Sequence, residues 1–394
     1  MTAAVDDGPE ETRVQKRNLV SLIIAHIGND SFFGFLPPLL PLLVVKMDMT
    51  LSMAGLLASA FAFTGAVGQP LFGYFADRYR KSWLIALGPI GGAFMTLLIY
   101  MPNYWSILLL FLFAGSGSAC FHPVASVIAA QISGKRKGLG VSLYVSGGRI
   151  GMGLGAAFST FLVTNWGLES IPIAGLMGLA LGLPYFFIAP EITSPSTRVP
   201  MNFMDTMGSL AGLYRPLIVM WLVNVCRTTV TMLVGTYMPL YVVTAGGSIG
   251  AGGRSITLFL FAAAMGGIYG GHLSDRIGRR TVMIVATLLG TPVLGVTFLM
   301  PAPLDTIFLM LSGAILYSSM GVSVAYAQEV APENRALVSS LMLGVVWFVG
   351  SMIAIGVGAL GDIWGILTVL PITIVVFGGL GAVISFWLPK LDKN

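Results

Sequence analysis

Apolar runs about 20 residues long, separated by short polar or glycine-containing breaks, dominate the chain. A helix needs about 20 mostly apolar residues to cross roughly 30 Å of hydrocarbon. Runs of that length recur twelve times, at 19–45, 52–75, 82–101, 105–132, 138–164, 170–189, 215–244, 255–274, 281–300, 304–329, 336–360 and 364–388. The pattern predicts an all-α membrane protein of twelve transmembrane helices. Residues 1–18 are polar and mixed in charge, with Asp6, Asp7, Glu10 and Glu11 ahead of Arg13, Lys16 and Arg17. With no apolar run at its very start, this stretch reads as a disordered tail and not a cleavable signal peptide. Residues 390–394 read as a second tail. The longest connection, 190–214, is rich in Pro, Ser and Thr. It divides the helices into two bundles of six, at 19–189 and 215–389.

Composition sharpens the class. Hydrophobic residues are 56% and charged residues 9%, against about 25% charge in a soluble domain. Too few charges are present to cover a water-facing surface. Fifty glycines fit the same reading, because glycine lets membrane helices approach closely. Cys120 and Cys226 both sit in apolar runs, which excludes a disulfide framework or a cysteine-based metal site.

The formal charge of +5 would suggest nucleic acid in a soluble chain. Here its distribution matters more than its sum. One set of connections carries Arg78, Arg80, Lys81, Lys135, Arg136, Lys137, Arg198, Arg276, Arg279, Arg280 and Arg335, together with both termini. The opposite set carries only Lys46 and Arg254. The positive-inside rule then places both termini in the cytoplasm and the chain in the cytoplasmic membrane. The partners expected are the lipid bilayer, a small-molecule solute and protons, with no nucleic acid and a monomeric working unit.

The two bundles repeat one another. Gly73-Tyr-Phe-Ala-Asp77-Arg78-Tyr-Arg-Lys81 follows the second helix, and Gly271-His-Leu-Ser-Asp275-Arg276-Ile-Gly-Arg-Arg280 follows the eighth, 198 positions on. The same offset pairs Pro41 with Pro239, and Lys137 with Arg335. A duplicated six-helix unit with a site between its copies is a transporter architecture.

These paired loops, G-x-x-x-D-R-x-x-[RK] in shape, resemble the signature of the major facilitator superfamily. Within it, His26-Ile-Gly-Asn29-Asp30 and Gly34-Phe-Leu-Pro37-Pro38-Leu-Leu-Pro41 are similar to the opening helix of the fosmidomycin-resistance group of drug exporters. Phe121-His122-Pro123 and Ser133-Gly-Lys-Arg-Lys-Gly138 resemble that group too. The run Gly147-Gly-Arg-Ile-Gly-Met-Gly-Leu-Gly-Ala156 resembles the antiporter motif of drug exporters. It departs from the group in having Arg149 near an expected Asn and Ala156 near an expected Pro. The resemblance implies that the first, fourth, seventh and tenth helices line a central cavity, with the fifth at its border. It also implies that Gly73, Asp77 and Arg78, and their counterparts Gly271, Asp275 and Arg276, latch the conformation closed to the cytoplasm. Glu329, at the cytoplasmic end of the tenth helix, reads as a further gating residue.

An ionised residue at the bilayer centre costs at least ~2.5 kcal/mol, so such residues mark pathways. Asp30 lies twelve residues past Asn18, Arg149 eleven past Gly138, Arg227 twelve past Arg215, and His122 eleven before Ser133. At 1.5 Å per residue, all four lie roughly 16–18 Å from the cytoplasmic face. His26 and Asp30 share a helix face, while Asn29 points about 100° away. With Asp30 ionised and both histidines neutral, the level carries a net positive charge, which favours an anion. Asp30 and His26 are the candidate proton carriers. Asn29, Asp30, His122, Arg149 and Arg227 are the candidate solute contacts, and Arg suits a carboxylate or phosphonate through its planar fork.

Structural alternatives stay open at this point. Asp30 can lock two helices by pairing with one Arg, His26 can be a satisfied packing residue, and His122 can cap backbone groups freed by Pro123. The twenty-one methionines read as packing and lipid-facing filler. No H-E-x-x-H, no phosphate loop and no cofactor motif is present, so neither an enzyme nor a cofactor is expected. The reading is a secondary transporter working by alternating access, exporting an organic anion or drug against protons. Uptake of organic anions on the same fold is the alternative.

Overall fold

A computed structural model describes residues 9–79, 82–133, 137–189, 211–332, 338–339 and 341–390. Among the described residues, the chain forms twelve helical rods. In the first half these are α1 (Pro9–Phe35, continued through a 3-10 turn at Pro37–Leu39 and the helix Leu40–Lys46), α2 (Leu51–Tyr79), α3 (Ser82–Tyr100), α4 (Tyr104–Ile132), α5 (Lys137–Trp166) and α6 (Leu168–Ile188). In the second they are α7 (Tyr214–Thr244), α8 (Ile249–Ile277), α9 (Arg279–Thr297), α10 (Leu304–Val330, broken at Ser319), α11 (Leu341–Trp364, opening with a π turn) and α12 (Ile366–Ser385). Among the described residues, ten rods are long and apolar enough to cross a membrane. Large apolar side chains such as Leu109, Leu176, Phe187, Ile363 and Val375 stand exposed around the outside. In a soluble chain such a surface would aggregate; here it is the lipid face.

One expected boundary moves. The N-terminal tail was expected to run to residue 18, yet α1 is already helical from Pro9. Proline at the first helical position gives up an N–H that has no partner there anyway. Residues 1–8, 190–210 and 391–394 of the expected tails and linker lie outside the described residues.

Local chemistry sets where rods start and turn. Asn103 and Ser106 form a reciprocal capping box at the start of α4, and Ser248 caps α8 through the Ala251 amide. Single glycines join α8 to α9 and α11 to α12. Gly278 has φ +93° and Gly365 φ +81°, a region that L side chains avoid.

Packing within the first half depends on how closely α5 approaches α1. Gly147, Gly151 and Gly155 recur every four residues along one face of α5 and oppose Ile23, Ile27 and Ser31 of α1. A Cβ at Gly155 would run into the Ser31 carbonyl, and one at Gly151 into the backbone of Ile27. Helices meeting backbone to backbone gain dispersion that side chains would otherwise hold apart. Across the molecule, the halves meet along α2 with α11 and α5 with α8.

Overpacking a site of this kind costs roughly 1–3 kcal/mol. Gly155→Ala should therefore lower the melting temperature of purified protein. Gly356→Ala on α11, where nothing lies within 4 Å, should leave it unchanged or raise it. Equal melting temperatures for the two variants would remove the glycine contact as the reason α1 and α5 pack.

Candidate functional site

The site is built on α1, where His26, Asn29 and Asp30 fall on adjacent turns. His26 Nδ1 lies 2.7 Å from the carbonyl oxygen of Tyr144 on α5. A carbonyl can only accept, so this nitrogen carries the hydrogen. The His26 ring also stacks on Tyr144 at 4.2 Å. Its other nitrogen, Nε2, faces Asp30 Oδ2 at 3.3 Å. From α4, His122 Nε2 approaches Asp30 Oδ1 to 3.5 Å. Gly148 leaves the space that a Cβ there would take from His26 and Asp30.

Asn29 differs from expectation. Its Cβ diverges from that of Asp30, but the side-chain amide spans the gap and donates to Asp30 Oδ1 at 2.7 Å. The same nitrogen donates to Ser118 Oγ at 3.0 Å and lies 3.4 Å from His122 Nε2. Its oxygen is buried without a partner, beside Gly88. Asn29 therefore fixes the carboxylate from behind. The Asp30 side chain keeps 18% exposure and His122 30%, while His26 keeps 6%.

The two arginines behave differently. Arg149 reaches from α5 into the second half, with its guanidinium 5.2 Å from the Tyr317 ring and 5.0 Å from the Trp347 ring. Its terminal nitrogens lie 3.2 Å from Met152 Sδ and 3.0 Å from Met320 Sδ. Arg149 stands within electrostatic reach of both His122 and Arg227. Arg227 on α7 is 4% exposed. It donates to Asn224 Oδ1 at 3.4 Å and Thr228 Oγ1 at 3.1 Å, and its Nε has no partner. Among the described residues neither guanidinium pairs with a carboxylate. The lock between Asp30 and one Arg is thus not what forms, because imidazoles and an amide already surround Asp30.

Beyond this polar level, away from the termini, an apolar pocket opens between the halves. Phe33, Pro37, Met152, Met232, Thr236 and Leu260 contribute to its wall. Past it the halves are bolted together. Asp362 of α11 accepts from the Leu51 and Ser52 amides at 2.5 and 3.1 Å and from Ser52 Oγ at 2.8 Å, capping α2 from the other half. Tyr237 Oη, fully buried, lies 3.1 Å from the Leu51 carbonyl and 2.9 Å from that of Ala354.

At the terminus-bearing end, Asp275 pairs with Arg279 at 2.7 Å rather than with neighbouring Arg276, which is exposed. The Gly278 turn brings the first residue of α9 back over the last turn of α8. Arg279 also pairs with Glu329 at 3.1 Å and donates to Ser274, tying α8, α9 and α10 together. Gly271 meets open space. Gly73, Asp77 and Arg78 end α2, and their side chains lie outside the described residues. Sequence reasoning missed Arg279, Asp362, Tyr237, Tyr317 and Trp347. Arg279 stood in register with Lys81 of the first loop, and Asp362 was an acid at the end of an apolar run, three residues before the turn glycine Gly365.

The profile of the Major Facilitator Superfamily matches residues 22–355. The chain is 28% identical over 383 residues to the uncharacterized MFS-type transporter YfnC of Bacillus subtilis (strain 168), covering 95% of this chain and 93% of that protein. It is 27% identical over 358 residues to the fosmidomycin resistance protein of Escherichia coli (strain K12), covering 87% and 86%. In fold it is similar to a bacterial homologue of the human lysosomal transporter Spinster, solved inward-facing and occupied, with TM-score 0.81, 17% identity and 97% of each chain covered.

A charged cap on a helix start is worth about 1 kcal/mol. Asp362→Asn should therefore raise the population opened at that end roughly fivefold. A thiol placed at Ala58, on the pocket wall, should react correspondingly faster with an impermeant reagent added from the Asp362 side. An unchanged rate would show that the cap does not hold this end shut.

Proposed function

The chain belongs to the Major Facilitator Superfamily, and from that premise we propose that it exports an organic anion or acidic drug in exchange for protons. It is a multi-pass membrane transporter of small molecules and not an enzyme. The observation that carries the proposal is Arg227, a buried guanidinium with an unpartnered Nε and no carboxylate beside it among the described residues. A buried charge left unpaired is costly. An anionic solute supplies the missing counter-charge, with Arg149 as the second cation. The apolar pocket next to Met152 and Met232 then takes the solute's carbon skeleton.

Asp30 is the coupling acid of this reading. With the Nδ1 hydrogen of His26 committed to Tyr144, a neutral His26 presents a lone pair to Asp30 across 3.3 Å. A proton held between them relieves that repulsion. His26 and His122 face the carboxylate, Tyr144 stacks on His26, and Arg149 lies within electrostatic reach of His122. An anion arriving between the arginines changes the field at Asp30, so proton and solute exchange through one level.

The basic loops support an orientation with both termini in the cytoplasm. The end bolted by Asp362 then faces outward, and the polar level loads from the cytoplasm, as an exporter requires. A relative named for fosmidomycin resistance supports the same direction. In this scheme the Asp77 and Asp275 loops latch the opposite state, with Arg279 and Glu329 bracing the second one.

Asp30→Asn should abolish uphill transport in vesicles with an imposed pH gradient while leaving counterflow of labelled solute intact. Accumulation against a gradient by this variant would remove Asp30 as the coupling acid. Arg149→Gln or Arg227→Gln should weaken binding of an acidic solute about tenfold to a hundredfold, yet spare its neutral ester. Lys at either position should rescue only in part, for want of the planar fork. Equal weakening of acid and ester would point instead to a structural role for that arginine.

A further inference from the structure

The cluster around Asp30 also has the donor set and spacing of a metal centre. His26 Nε2, His122 Nε2 and an Asp30 oxygen all lie within 4.8 Å of one another. His26 Nε2 lies 3.3 Å from Asp30 Oδ2 and His122 Nε2 lies 3.5 Å from Asp30 Oδ1, so the two imidazoles approach the carboxylate at its two different oxygens. Bonds of about 2.0–2.2 Å from Zn²⁺ to nitrogen and oxygen put ligand atoms at the corners of a tetrahedron roughly 3.3–3.6 Å apart. A direct hydrogen bond of an imidazole to a carboxylate is usually shorter, near 2.7–2.9 Å.

The surrounding shell points the same way. A ligating histidine nearly always gives its other N–H to a carbonyl or carboxylate, which fixes the tautomer and aims the free nitrogen. His26 does this through Nδ1 to the Tyr144 carbonyl, and its ring is held by the stack on Tyr144. Ligating carboxylates are themselves held by hydrogen bonds. Asn29 holds Asp30 Oδ1 and is anchored in turn by Ser118. His122, the most exposed of the three, has room to close the third edge.

We propose that His26, Asp30 and His122 form a binding site for a divalent transition-metal cation of the zinc class, with its remaining coordination position open toward the central cavity. Two imidazoles and one carboxylate suit Zn²⁺ or Co²⁺, whereas Mg²⁺ and Ca²⁺ want oxygen ligands. Access runs past His122 and Asp30, the less buried members. Arg149 does not block it, since its guanidinium is drawn to Tyr317 and Trp347. The site stands apart from the identity of the solute, because it is defined by protein atoms alone.

The test uses full-length protein without a histidine tag, stripped with chelator and titrated with Zn²⁺ alone. Calorimetry with elemental analysis should give one Zn²⁺ per chain. His122→Gln should weaken binding at least about tenfold, and Asp30→Asn should do the same, since even second-layer partners are worth 10–100-fold. His272→Gln, which removes the chain's only other histidine, exposed on α8, should change nothing. Co²⁺ should show the intense visible bands of a tetrahedral ion, and His122→Gln should collapse them. If His26→Gln fails to fold, the less buried His122 still decides. Absence of Zn²⁺ binding to the wild type, or binding indifferent to both His122→Gln and Asp30→Asn, would overturn the proposal. Neither result touches the anion reading, which rests on the arginines.

Discussion

A charge in hydrocarbon must be answered by other polar groups, because an unanswered one costs several kcal/mol. That constraint organises the middle of this molecule. Asp30 is answered locally by His26, His122 and Asn29, three side chains from two helices of its own half. Arg227, in the other half, is answered only by the dipoles of Asn224 and Thr228. Arg149 is answered by ring faces and thioethers contributed across the divide. The charge of Asp30 is thus met within its own half, while the two arginines, one from each half, carry an unmet demand for negative charge.

The glycine face of α5 follows from the same constraint. His26 reaches the Tyr144 carbonyl only if α5 lies against α1 with almost no side-chain layer between them. Gly147, Gly151 and Gly155 provide that approach, and Gly148 leaves room for the ion cluster itself. What looks in sequence like a motif of flexibility works here as close backbone contact. The opposite solution appears at the bolted end. There a carboxylate on α11 meets the amide dipoles of α2, a contact whose electrostatic strength disappears once the halves part.

The rods, the division into halves and the level of the polar residues were legible in the sequence, because apolar length and charge spacing are one-dimensional quantities. The start of α1 was not, since a charged stretch ahead of a span can be helical without being hydrophobic. Who pairs with whom was legible only in part. Asp275 and Arg279 sit four residues apart, but a glycine turn rather than a helix face joins them. Asn29 looked misdirected because helical angles locate Cβ atoms and not the ends of side chains. Tyr317 and Trp347 gave no signal at all, since an aromatic residue that faces a cation reads in sequence like any other core residue.

The offset of 198 positions between the halves has a geometric consequence for Arg149. Advanced by that offset, His26, Asn29 and Asp30 fall on Asn224, Arg227 and Thr228, so duplication has given one frame opposite polarity in its two copies. Arg149 falls on Trp347, and these two side chains touch. Points exchanged by a twofold rotation have their midpoint on the axis, so equivalent residues in contact must straddle it. The Arg149–Trp347 stack therefore marks the line of pseudosymmetry through the protein. In the export cycle proposed above, a solute head held by Arg149 would therefore sit on that line, where side chains of both halves reach it.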